Sequence, residues 1–399
     1  MSVYKLQNVI QNYAWGSEDF ISNLLGLPID KELPKAELWM GAHPKAPSQI
    51  ISESCSLIDF IKRNPKEILG AINCQNFNQK LPFLLKVLSA YKPLSIQAHP
   101  NLEQAKKGFL KENKMGIALS APNRNYKDDN HKPELICALT PFTAMCGFRF
   151  PSKIKKMLNE FNLHSVLPAY NDIDKEEAHF KQFFYELMNA DKDITKKRVN
   201  ILLENIEKVP TNSQNKLIIQ WIQKLNKYYP GDVGVFSPIL LNLIELLPGQ
   251  AIYLDAGVLH AYLLGSGIEI MANSDNVLRG GLTPKHIDVP ELLQILTFQG
   301  GKIDIIDPVI NTKKEKIYKT PADEFELVFI ELAEEQHYRA VSTGPEILLC
   351  TAGKCQVSFD SSTMEISKGE SIFISAKCTE YSLMGHANLY KAKLPENCN

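Results

Sequence analysis

A chain of 399 residues has room for two or three domains at about 150 residues each. Hydrophobic residues make up 44% and charged residues 22%, which excludes wholesale disorder and fibrous classes. A formal net charge of −1 leaves no global field to steer the chain onto nucleic acid or anionic lipid, so any anionic ligand must be caught by a local cluster.

The N-terminal residues Met1 to Asn8 lack a basic stretch followed by an apolar one, so no secretory signal is expected. From residue 1 to about 150, short apolar runs are punctuated by Pro, Gly and Asn, the texture of strands and loops with a few short helices. Pro82 to Leu88 and Leu94 to His99 read as strands joined by a turn at Lys92-Pro93. Between 151 and 228 the period changes. Ile154, Met157, Leu158 and Phe161, then Phe180, Phe183, Phe184 and Leu187, then Val199, Leu202, Leu203 and Ile206 recur at helical spacing. Strand texture resumes over Leu246 to Leu254, followed by turns at Gly265-Ser-Gly267 and Gly280-Gly281. From about 305 onward, Ile347 to Cys350, Cys355 to Phe359 and Ser371 to Ile374 follow one another as short β pieces, a rhythm that predicts a sandwich or barrel.

The most apolar stretch, Val235 to Leu247, is broken by Ser237, Pro238, Asn242 and Glu245, and it is short of the roughly 20 residues needed to span a bilayer. No membrane partner is expected. The eight cysteines, Cys55, Cys74, Cys137, Cys146, Cys350, Cys355, Cys378 and Cys398, contain no C-x-x-C pair and read as free thiols of a reducing, cytoplasmic compartment. With no obvious exposed apolar stripe, a monomer is expected.

Chemistry concentrates in three short segments. In a strand, side chains alternate faces, so Ser95, Gln97 and His99 share one side while Ile96 and Ala98 point to the other. Lys132 and Glu134 stand two apart, as do His260 and Tyr262, so each pair can line a common cavity. Two histidines and a carboxylate suit a divalent transition metal, and the Gln97 amide oxygen can supply a fourth, neutral ligand. One position would then remain for water or substrate.

Six segments carry a resemblance: Gln11 to Ser17 (QNYAWGS), Ala36 to Pro44 (AELWMGAHP), Leu94 to Pro100 (LSIQAHP), His131 to Glu134 (HKPE), Asp255 to His260 (DAGVLH) and Ser274 to Lys285 (SDNVLRGGLTPK). In this order, over most of the chain, the sequence resembles type I mannose-6-phosphate isomerase. The resemblance implies a mainly β fold with an α insertion: two cupin, jelly-roll type β-barrels plus a helical domain. The implied division is a catalytic cupin from 1 to 150 and 229 to 300, a helical insertion from 151 to 228, and a C-terminal cupin-like domain without metal from 301 to 399. The only histidine in the Cys350 to Lys393 block, His386, has no partner nearby in sequence.

It further implies a zinc enzyme, one Zn2+ per chain, held by Gln97, His99, Glu134 and His260. The implied reaction interconverts mannose 6-phosphate and fructose 6-phosphate through a cis-enediol. Such chemistry asks for a phosphate anchor, a base of suitable pKa and positive charge where the enediolate develops. Arg279 matches the family's active-site arginine; Lys285, Lys86 and Ser95 match positions at the substrate's phosphate end; Trp15 is a candidate wall of the sugar site. Gly280-Gly281 is expected to let the backbone approach a ligand closely. Lys132 and Glu269 are joint candidates for the proton carrier, with Tyr262 as a relay. Zinc can act as Lewis acid or as template. His43, Glu37 and Trp39 are read as a structural loop and His286 as a surface residue. Two rival readings are a non-haem iron cupin oxygenase, which also uses two histidines and a carboxylate, and a non-catalytic sugar-binding cupin.

Overall fold

The computed structural model describes residues 2–164, 166–167, 170–209, 213–312, 315–334 and 337–395. Cys398 lies outside the described residues. The strands form two antiparallel sheets, one of eleven and one of ten strands, and a helical region covers one flank. Neither sheet closes into a ring by hydrogen bonding, so two large sheets with helices, rather than two barrels, are what the strand pairing establishes.

The spine of the ten-stranded sheet is the strand His260–Ala272, whose two halves have different neighbours. Its first half pairs with the strands Ile96–Ala98 and Phe142–Phe148, and its second with Phe83–Ala90 and Glu134–Ala138. The change of partner falls at Gly265, where φ is +116° and a Cβ would lie 2.6 Å from the Pro141 carbonyl oxygen. Only glycine fits such a bend.

Period-two alternation decides what each face does. On Phe83–Ala90, Phe83, Leu85 and Val87 point to a core shared with the other sheet, against Tyr4, Leu6, Leu327, Leu349, Phe373 and Tyr390. Leu84, Lys86 and Leu88 point the other way, and with them Glu134 and Glu269 from the neighbouring strands. One face therefore holds the sheets together and the other is left for chemistry. The first strand, Val3–Gln7, pairs with Ser371–Ile374 and so ties the N-terminus into the eleven-stranded sheet.

The helical period is realised in Pro151–Glu160, Glu177–Met188, Lys192–Ile206 and Ser213–Tyr228. Pro151 stands in the first turn, where no N–H is required, and Asp191 caps its helix by accepting the Ile194 N–H. The buried stripes, including Ile154, Phe180, Phe184 and Leu202, pack with Ile96, Ala98 and Leu278, on the back of the strand that carries Gln97. The helices thus brace the site from behind.

Two expected pieces join and one divides. Ile347 to Cys350 and Cys355 to Phe359 belong to a single strand, Glu346–Phe359, which continues through a bulge at Cys350/Ala352 instead of turning. Leu246 to Leu254 splits into Leu241–Leu246 and Ala251–Leu254 around a turn in which Gly249 has φ +87°. No described helix is long and apolar enough to cross a membrane.

Candidate metal centre

Cross-strand register, not sequence proximity, assembles the site. His260 pairs with Gln97, Gln97 pairs with Arg279, and Glu134 pairs with Met271 two positions from Glu269. Three buried side chains, His99, Glu134 and His260, bring one ligand atom each to within 4.8 Å of one another, the only such cluster among the described residues. His99 Nε2 lies 3.4 Å from Glu134 Oε1, and His260 Nε2 lies 3.6 Å from Glu134 Oε2.

Hydrogen bonds behind the rings settle which nitrogens face inward. The Asn276 carbonyl oxygen is 2.7 Å from His99 Nδ1, and the Val258 carbonyl oxygen is 2.9 Å from His260 Nδ1. Carbonyls can only accept, so both Nδ1 atoms carry the proton and both Nε2 lone pairs point into the cluster. Burial, followed by the Lys132 ammonium, pushes the His99 pKa down to about 4, which keeps the ring neutral. His99 Nε2 and Glu134 Oε2 are buried without any hydrogen-bond partner. Acceptors converging on a dry point is an arrangement that costs free energy unless a cation sits among them. The donor set, two imidazole nitrogens and a carboxylate oxygen, fits a zinc-type ion.

Gln97 supplies the fourth direction. Its Nε2 is 3.4 Å from His260 Nε2, and half a turn of the terminal amide exchanges that nitrogen for the carbonyl oxygen, a neutral ligand. Three of the four residues expected as ligands therefore form the cluster, and Gln97 stands beside one of them, His260.

Around them lie two cations in different states. Lys132 Nζ is 2.9 Å from Glu134 Oε1, and with the imidazoles it outweighs burial and holds the Glu134 carboxyl well below its ordinary range. Lys86, expected as a phosphate contact, is buried and already neutralised: it donates to Glu269 Oε2 at 2.8 Å, lies 3.9 Å from Glu37 Oε1 and sits over the Trp39 ring. Burial opposes its charge, but Glu269 and Glu37 prevail and raise its pKa. Burial in turn raises the Glu269 carboxyl against the pull of Lys86. Tyr262, its hydroxyl buried and without a partner, is pushed well above its usual range by burial and by Glu269.

The sugar-facing candidates are more open. Ser95 is half-buried two residues from Gln97, and Trp15 is half-buried against the cluster that contains Tyr262, stacked on Tyr13 at 5.6 Å. Arg279 is half-buried and makes no ion pair among the described residues; burial lowers its pKa. Lys285 is exposed, and its pKa is lowered by burial of part of the chain and then by the charges of Arg279 and Lys45. Uncompensated positive charge at this rim suits an anion.

Two expectations change. Gly280-Gly281 does approach a backbone closely, but the protein's own: Gly281, at φ +133°, is opposite Gly234, whose Cα would be 3.0 Å from an added Cβ. The Glu37 segment, read as loop structure, forms the strand Glu37–Gly41 and gives the carboxylate that helps balance Lys86. His43 stays outside the metal shell, edge-on to Trp39, and His286 is exposed. Reasoning from sequence also missed Asn276, whose carbonyl aims His99; its place in the SDNVLR segment was the available signal.

A cavity of about 990 Å³ is lined by His43, Lys127, Asp128, His131, Asn273 and Asp275 among others. None of the metal-facing side chains lines it.

Family models match along the chain: the catalytic domain of type I phosphomannose isomerase over residues 3–151, and its helical insertion domain over 157–241. The chain is 40% identical to mannose-6-phosphate isomerase of Salmonella typhimurium over 395 residues, 96% of this chain and 98% of that one. It is 34% identical to mannose-6-phosphate isomerase of Homo sapiens over 406 residues, covering 94% and 93%. The chain belongs to the type I phosphomannose isomerase family. A crystal structure of the Salmonella typhimurium mannose 6-phosphate isomerase, bound to fructose 6-phosphate and zinc, is similar with a TM-score of 0.90 at 38% identity, covering 99% of this chain and all of that one. The catalytic-domain match ends at residue 151, where the helix Pro151–Glu160 begins, and the helical-insertion match starts within that helix, at residue 157.

Proposed function

We propose that this chain is a zinc-dependent aldose–ketose isomerase that interconverts D-mannose 6-phosphate and D-fructose 6-phosphate. The observation that carries the reading is the buried His99–Glu134–His260 cluster with its unpartnered inward atoms, in a chain so similar to isomerases over nearly its whole length. His99, Glu134, His260 and Gln97 would hold the ion. Bound there, zinc supplies positive charge beside the sugar oxygens, as Lewis acid or as template.

The chain's own residues do the rest. Arg279 and Lys285 hold the substrate's anionic parts, Arg279 on the side of the developing enediolate oxygen and Lys285 at the phosphate, with Ser95 as a hydroxyl donor and Trp15 as an apolar wall for the sugar. Lys86 serves the substrate's phosphate end and is at the same time the counter-charge that keeps Glu269 an anion. Moving the proton between C2 and C1 falls to Lys132 or Glu269, with Tyr262 as relay: Lys132 is on the metal side, and Glu269 is raised toward the range of a useful base. Burial of Lys86, Lys132, Glu134 and Glu269 strengthens the interactions among these charges.

The architecture proposed for this work is a pair of cupin-type barrels. The catalytic one comprises 1–150 and 229–300, the helical insertion 151–228, and the C-terminal one, without metal, 301–399. The free protein is a cytoplasmic monomer. A coupled assay from mannose 6-phosphate to glucose 6-phosphate, run beside elemental analysis, tests the function. Turnover with about one zinc per chain is expected; zinc-replete protein without turnover would favour a sugar-binding cupin, and iron with oxygen uptake an oxygenase.

A further inference from the structure

The mechanism leaves unused a fully buried carboxamide, that of Asn276, three residues before Arg279. Its Oδ1 accepts the backbone N–H of Lys127 at 2.7 Å and of Asp128 at 3.2 Å. Its Nδ2 donates to the carbonyl oxygens of Asp128 at 2.9 Å and Asn130 at 2.8 Å, with an Asp128 carboxylate oxygen at 3.2 Å. The amide is used to its full capacity. Asp128 reinforces the junction from the other side, accepting the Ser274 hydroxyl at 2.8 Å and the Asp275 N–H at 2.7 Å. One side chain thus fastens the 273–276 loop to the 127–130 loop, which runs directly into Lys132 and Glu134.

The consequence falls on His99. The Asn276 carbonyl is held 2.7 Å from His99 Nδ1 and is the only partner recorded for that nitrogen. Moving the loop by an ångström would break this bond and free the ring to change tautomer or tilt. His99 Nε2 has no hydrogen-bond partner among the described residues, so the bond at Nδ1 is the one that aims the ring.

We infer that Asn276 is a positioning residue for the metal: by clasping the two loops it fixes the tautomer and direction of His99, and therefore the affinity of the centre for zinc. It touches neither metal nor substrate. A group at one remove from a ligand typically changes metal affinity by about 10- to 100-fold when altered. Asn276→Asp keeps the shape but turns two N–H donors into acceptors facing carbonyl oxygens, and Asn276→Ala removes the clasp.

The inference rests on the zinc reading, and the test separates the two. Zinc affinity is measured on metal-stripped full-length protein by competition with a chromophoric chelator, with Lys107→Ala, on the exposed face of the helix Leu102–Lys114, as the control. Both Asn276 variants are expected to bind zinc about 10- to 100-fold more weakly than wild type, and the control to bind as wild type does. Wild-type protein that takes up no zinc ends the zinc reading; tight wild-type binding with unchanged, folded variants ends this inference alone. Should the variants fail to fold, the wild-type protein still answers: in zinc-loaded, 15N-histidine-labelled protein, His99 must carry a slowly exchanging proton on Nδ1. Zinc bound through Nδ1, or an Nδ1 proton exchanging freely with water, overturns it.

Discussion

Two buried ionic clusters lie on antiparallel strands of this chain and end in opposite states. In the eleven-stranded sheet, Lys391 donates to Glu315 at 2.7 Å and to the Tyr338 hydroxyl at 2.9 Å, Tyr338 also bonds Glu315, and Tyr381 donates to Glu346 at 2.7 Å. Each carboxylate there meets a donor. Leu348, Cys350, Leu383 and Leu389 are buried in the same hydrophobic cluster as Tyr338 and Tyr381. At the metal centre the carboxylate and imidazole meet as acceptors, with Glu134 Oε2 and His99 Nε2 left bare. A satisfied network specifies a fold by itself, whereas a deficient one stores the need for a cation. The comparison teaches where to look: the region whose polar groups fail to balance is the one that works.

The sharpest way to break this contrast is to disturb the deficient cluster directly. Glu134→Gln or His260→Ala should lose zinc by more than about 100-fold, beyond the usual effect of an indirect partner, and isomerase turnover with it. Metal content and the coupled assay check both losses in one preparation. Protein free of metal with full activity would end the metalloenzyme account. The equivalent damage in the other cluster should leave zinc binding untouched.

One step out, the effect is expected on the proton transfer and no longer on the metal. Replacing Lys132 by Met and Glu269 by Gln separately, and following exchange of the C2 proton, should slow exchange by about 100- to 10,000-fold in the variant that has lost the proton carrier. Zinc should persist in Glu269→Gln, because Glu269 pairs with Lys86 and not with the metal cluster. Exchange at the wild-type rate in both variants removes both residues as carriers. Beyond them, Lys285→Ala should raise KM for the sugar phosphate roughly 10- to 100-fold, the worth of one charge-assisted hydrogen bond, with little change in kcat.

How much of this could be read before the structure follows from which physics was local. The helices were legible because Phe180, Phe183, Phe184 and Leu187 repeat at a period that only a helix turns into one face. The ligand set was legible because alternation puts Ser95, Gln97 and His99 together, and because the six motifs resemble a family. What stayed hidden depends on pairing between distant segments. That Lys86 faces Glu269 across the His260–Ala272 strand is a matter of register, and nothing near residue 86 announces it. The bulge that carries Glu346–Phe359 straight through Thr351 reads locally as a turn, since its residues are small and polar. Asn276 looked like part of a motif, but its task could be seen only once the 127–130 loop lay against it.

The mildest test leaves catalysis alone and asks whether the satisfied cluster is as self-sufficient as its bonds suggest. Burial works to raise the Glu315 carboxyl, but Lys391, Tyr338 and Asn311 outweigh it and bring its pKa down from 4.5 to about 2. A carboxyl depressed on folding contributes stability that is fully present above its unfolded value of 4.5 and is lost as pH falls through about 2. Glu315→Gln keeps the volume but takes from the buried Lys391 its ion-pair partner at 2.7 Å and leaves it the charge of Glu346 alone, which should cost up to about 3 kcal/mol at pH 7 by urea unfolding, the low end of what breaking a buried pair costs. The gap between variant and wild type should narrow as pH falls from 4.5 toward 2, because the wild type then surrenders the charge that the variant never had. Zinc affinity at pH 7 should be the same in both proteins. A gap that stays constant down to acid would mean that Glu315 acts through its shape and hydrogen bonds, and the division between a charge-balanced region and a charge-deficient one would have to be redrawn.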